Sequence, residues 1–143
     1  MDTSIVFPKT FSAGLENRIL LIVSPEIYLE NYPIGNEEDY YEKIMIHEIA
    51  HRFHIRILNG NEDAMGAVWF YEGFAVYVAN QLNNPELNLT KEEMIEIMND
   101  SQRGSYSNYG YIFRYFNEKV PLKDMIEKAK EEDFNKWMIS MID

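Results

Sequence analysis

The chain has no cysteine, which excludes a disulfide framework and every thiolate metal site, so any metal must be held by His, Asp or Glu. Histidine is scarce too, with three in 143 residues. Positive charge is in short supply: 13 Lys and Arg stand against 24 Asp and Glu, for a formal net charge of −11. Nucleic acid and anionic lipid both reward a basic surface, so neither is an expected partner. No apolar run approaches membrane-spanning length, so no membrane insertion is expected. The opening "MDTSIVFPKTF" lacks a basic start ahead of a long apolar run and does not read as a signal peptide. The expected location is cytoplasmic by default; a secreted chain lacking its leader would read the same.

What the chain does have is 46% hydrophobic composition, enough for one sizeable core, so a single domain over residues 1–143 is expected. The segments "SIVF" and "RILLIV", bounded by Pro8, Gly14, Ser24 and Pro25, read as strands, the second buried on both faces. From Asn36 the character becomes helical. Asn36 as a cap, with Glu37, Glu38 and Asp39 in the first turn, opens a helix of about six turns that Asn59-Gly60 closes. A second helix is expected over Ala67 to Leu82. A third starts at a Thr90/Glu93 capping box, a fourth runs through "YGYIFRYFNEKV", a fifth opens at Pro121, and a sixth covers Phe134 to Met141. The expected class is α+β: a small N-terminal sheet (1–35 mainly β), then a mainly helical part (36–143).

Two of the three histidines stand in "HEIAH" within the first long helix. Helical positions i and i+4 differ by about 40° in direction and about 6 Å along the axis. His47 and His51 therefore project side by side and can offer two imidazole nitrogens to one ion. Glu48, turned about 100° away, is placed to meet a water on that ion rather than to ligate it. A catalytic zinc site takes three protein ligands and leaves one position for water. Glu72, on the next helix after a short connection, is the candidate third ligand. Gly73 beside it costs about 1 kcal/mol in a helix interior, which points to a close approach by the facing helix. His54 shares a face with His47 and His51 one turn on and reads either as a support behind the ligands or as structural. The metzincin pattern would instead need Gly at 54 and His at 57, where this chain has His54 and Ile57.

"HEIAH" followed by "WFYEGFAVY" resembles the gluzincin zinc metallopeptidases, in particular the aminopeptidase N-like branch, whose third ligand lies in a W-x-x-E-G-x-A motif. Trp69, Glu72, Gly73 and Ala75 match that motif. The gap from His51 to Glu72 is longer than usual in aminopeptidases, and "NGNEDAMG" can absorb it. The resemblance implies a zincin-like fold, one zinc ion on His47, His51 and Glu72, and Glu48 as general base in the hydrolysis of a peptide or protein substrate. It also implies an oxyanion-stabilising tyrosine opening a later helix: Tyr106 in "GSYSNYGYIFRYF", with Tyr109 three residues on as the alternative and as a substrate-side candidate. "AGLEN" is similar to the G-x-M-E-N stretch that grips a substrate's free amine, which makes Glu16 a substrate-binding candidate, although Ala13 and Leu15 replace Gly and Met. The alternatives are a gluzincin-like zinc-binding module without turnover, with a structural or peptide-recognition role, and a helical interaction protein without metal.

Overall fold

A computed structural model describes residues 13–16, 19–31 and 40–143. The segment "SIVF" and the Asn36 cap lie outside the described residues. The expected α+β class is overturned, because the described residues are built almost entirely of helices. Strands β1 (Ala13–Glu16) and β2 (Ile19–Ile22) form only an antiparallel hairpin, with Ala13 opposite Ile22 and Glu16 opposite Ile19. Among the described residues no third strand joins them. A continuous apolar run such as "RILLIV" gives the length and propensity of a strand but says nothing of how many neighbours it will pair with. Helix α1 (Pro25–Asn31) also occupies part of the stretch expected to be β. Its signal was present: Pro25 sits at the first helical position, and Ser24 Oγ accepts from the Ile27 amide at 3.3 Å.

Helix α2 (Tyr40–Ile57) is joined to what precedes it by the Tyr41 hydroxyl, which donates to the Val23 carbonyl at 2.5 Å, and by Tyr28, whose ring packs on Tyr40 and Tyr41. It stops at Asn59 and Gly60, both at positive φ, where the Gly60 amide reaches back to the Ile55 carbonyl at 2.9 Å. Ile46, Ile49, Phe53 and Ile57 of α2 form an exposed apolar stripe.

A 3-10 turn (Glu62–Met65) leads into α3 (Val68–Val78), the central helix, seven of whose eleven residues are buried. It ends four residues short of the expected Leu82. Asn80 adopts φ 50° and the Gln81 amide reaches back to the Val76 carbonyl at 3.0 Å, a left-handed stop in which Asn is tolerated. Helix α4 (Lys91–Asn99) starts at the expected capping box: Thr90 Oγ1 accepts from the Glu93 amide, and Glu93 Oε2 accepts from the Thr90 amide.

Helix α5 (Tyr106–Asn117) packs closely on α3 through two glycines. A Cβ at Gly73 would lie 2.6 Å from the Tyr109 carbonyl oxygen, and one at Gly110 would lie 2.7 Å from Val76 Cγ1. The close approach expected at Gly73 is therefore made by α5, not by α2. It draws the start of α5 alongside Glu72. Helices α6 (Leu122–Lys128) and α7 (Phe134–Ile139) complete the core with Met125, Phe134 and Met138. Trp69 is buried as packing: it stacks on Phe134 and donates from Nε1 to Asn135 Oδ1 at 2.8 Å. Among the described residues, no helix is long and apolar enough to cross a membrane.

Candidate metal centre

Three side chains from two helices converge. His47 Nε2 and His51 Nε2 are 3.1 Å apart, and each is 3.1 Å from Glu72 Oε2. His47 and Glu72 are buried, and His51 is nearly so. The donor set fits a zinc ion. Nitrogen and oxygen ligands about 2.0–2.1 Å from a tetrahedral ion stand about 3.4 Å from one another, close to the spacing here. A cluster of His47, His51 and Glu72 is one that could hold a metal ion, with each residue offering one ligand atom.

The tautomer is also suited to the task. His47 Nδ1 lies 2.7 Å from Gln81 Oε1, an acceptor. When the ring is neutral its proton is therefore held on Nδ1 and the Nε2 lone pair is left for an ion, whereas the bond to Glu72 is made by the protonated ring. Gln81 is buried, and the residues on either side of it, Asn80 and Leu82, both have positive φ. The stop of α3 thus aims Gln81 at His47. Sequence reasoning missed Gln81, since a helix running to Leu82 would have given it no special direction. The left-handed stop at Asn80 was the signal. His51 Nδ1 is buried with no partner among the described residues.

Burial pushes the Glu72 carboxyl upward, but hydrogen bonds to His47 and His51 outweigh it and hold the group at about 2. Burial pulls His47 down, yet the bond to Glu72 leaves it raised. Glu48 is partly buried beside the cluster, and burial lifts its carboxyl against the pull of His47 and His51. The ring of Tyr106, first residue of α5, stacks on His47 at 5.9 Å and 7°. Burial raises its hydroxyl to about 12, so it stays a proton donor at neutral pH.

No protein family, curated protein or solved structure gives a match to this chain.

Tyr109 is buried, and its hydroxyl accepts from the Gly104 amide at 2.6 Å and donates to the Gln102 carbonyl at 3.2 Å. Its hydroxyl thereby clamps the 102–104 loop. Glu16 closes β1, and its side chain lies outside what the structure describes. His54 is fully buried, edge-on to Phe70 and Phe74, and neither ring nitrogen has a partner among the described residues. Two neighbours of the centre were missed. Tyr71 sets its ring edge against His51 at 6.0 Å, and Arg103 brings Nε to 3.5 Å from Glu72 Oε1.

Proposed function

We propose that the chain is a zinc-dependent metallopeptidase of the gluzincin type. The observation that carries this reading is the convergence of His47 Nε2, His51 Nε2 and Glu72 Oε2 at 3.1 Å from one another, with Glu48 and Tyr106 beside them. The match of "HEIAH" and "WFYEGFA" to the gluzincin motifs supports it.

His47, His51 and Glu72 would hold the ion. When bound, a divalent zinc supplies Lewis acidity, acidifying water and polarising a carbonyl oxygen. Glu48 is one position round the helix from a ligand, and its carboxylate takes the proton from the attacking water and later gives it to the departing amine. Tyr106 donates its hydroxyl hydrogen to the carbonyl oxygen as negative charge builds there. Gln81 keeps His47 in the tautomer that leaves Nε2 free to ligate. The substrate is a peptide or protein.

The test measures zinc content and cleavage of a peptide mixture by the wild type and by Glu48→Gln. The expected result is one zinc per chain in both proteins, with cleavage lower in the variant by roughly 10²–10⁴-fold. Equal cleavage by both, or no zinc in either, discards the reading. Full zinc with no cleavage by the wild type would leave a binding module in its place.

A further inference from the structure

The two oxygens of Glu72 have different neighbours. Oε2 meets the two imidazoles, while Oε1 meets Arg103, whose Nε is 3.5 Å away. The Glu72 side chain is 5% exposed and that of Arg103 is 64% exposed. An ion pair this open to water contributes little by itself, so neutralising Glu72 is a poor reason to hold an arginine here.

The segment carrying Arg103 is nevertheless fixed. The Gly104 amide donates to the Tyr109 hydroxyl, that hydroxyl donates to the Gln102 carbonyl, and the Gln102 amide donates to Asp100 Oδ1 at 2.9 Å. Both residues flanking Arg103 are thus pinned, one of them on each side of the same buried tyrosine. The guanidinium has five N–H donors in a planar fork. Nε is directed at Glu72 and the side chain also hydrogen-bonds Tyr106, yet it stays 64% exposed, so donors of the fork remain open to solvent beside the candidate ligands.

Charge points the same way. The chain as a whole is strongly acidic. At the centre, however, two charges from a bound divalent ion and one from Arg103 would outweigh one each from Glu48 and Glu72. That local excess favours an anionic group, and a guanidinium fork matches a carboxylate.

We propose that Arg103 is a specificity-determining residue that binds a substrate carboxylate beside the scissile bond, so that preferred peptides carry there an acidic side chain or a free C-terminus. This rests on the peptidase reading, and its test is built to fail separately. Blocked peptides are titrated by calorimetry into zinc-loaded Glu48→Gln protein, where hydrolysis is removed but binding is not. They come in matched pairs: Asp against Asn at each position, and C-terminal acid against C-terminal amide. The expected result is that the acid member of one pair binds at least tenfold more tightly, and the pair that does so identifies the carboxylate's source.

Adding Arg103→Gln to the Glu48→Gln protein should bring that ratio to within twofold with zinc content unchanged, and Arg103→Lys should retain part of it. Equal binding of acid and amide members, or binding of neither, overturns the proposal. So does a preference that survives Arg103→Gln, which would assign the carboxylate to the ion, or loss of zinc in that variant, which would make Arg103 a support for Glu72. If carboxylate peptides bind as expected but the wild type cleaves none of the peptides, the peptidase reading falls and the carboxylate site stands.

Discussion

Helix α2 carries three histidines on successive turns, and α3 meets them with opposite chemistry. His47 and His51 face a carboxylate, Glu72, at 3.1 Å. His54, one turn on, meets the rings of Phe70 and Phe74, at 5.8 and 5.3 Å between centroids. One pair sits among lone pairs that call for a cation. The third sits among aromatic rings, with no partner for either nitrogen among the described residues. Histidine's role is thus set by the facing helix and not by its own periodicity, since i, i+4 and i+7 place all three on neighbouring parts of one face.

The comparison breaks most sharply if all three histidines behave alike on substitution. If the cluster holds zinc as proposed, replacing His47, His51 or Glu72 by Ala removes a ligand, and zinc affinity should fall by more than the roughly 10–100-fold that a supporting partner is worth. His54→Leu should leave zinc content unchanged. Metal analysis after dialysis at fixed free zinc reads both. Zinc loss in His54→Leu, or retention in Glu72→Ala, would refute the division drawn here.

A second test moves the helix that carries Tyr106. Gly73→Ala puts a methyl group where only 2.6 Å separates it from the Tyr109 carbonyl. The two helices must part, at a cost of about 1–3 kcal/mol by the usual scale of overpacking. The expected signs are a lower melting temperature and cleavage impaired beyond the loss of stability, as Tyr106 shifts off His47. A melting temperature equal to that of the wild type would mean that α5 is not held where it is described.

Gln81→Leu separates His47 from His51. Without its acceptor, His47 loses the bond that fixes its tautomer, and zinc affinity should fall roughly 10–100-fold while the fold persists. An unchanged affinity would place Gln81 outside the centre's support.

These features differ in how far the sequence spells them out. The i, i+4 spacing of His47 and His51, the Thr90/Glu93 box and the Asn59-Gly60 stop are local signals, and the geometry they specify is what the chain adopts. Partner choice across the fold leaves no such mark. The run "RILLIV" does not record that β2 pairs with β1 alone among the described residues. Gly73 announces a close approach without naming α5. Gln81 and Arg103 reach the centre through a left-handed stop and a clamped loop, and neither device has a motif. Asn80 and Tyr109 do the placing, from positions where Asn and Tyr have many other uses.

The smallest effect at neutral pH, and the finest probe of the contrast, lies at His54. A neutral imidazole there keeps an N–H with no acceptor, a cost of about 1–3 kcal/mol. Leu removes that cost but forfeits ring-edge contacts worth about 0.5–1.5 kcal/mol, so His54→Leu should gain about 1 kcal/mol at pH 7. Acid widens the gap. Burial holds His54 down at about 4, against an ordinary value of 6.5. Between these values the unfolded chain takes up a proton that the folded protein refuses, so this contribution to stability is intact above about pH 6.5 and drains away as pH falls toward 4. By linkage the loss at pH 5 is about 2 kcal/mol. Denaturant titrations of both proteins at pH 7 and pH 5, each with and without chelator to take the metal ligands' own protonation into account, should show the variant's advantage growing by that amount. Parallel pH dependences would mean that His54 is solvated or paired, and that the apolar end of the comparison does not exist.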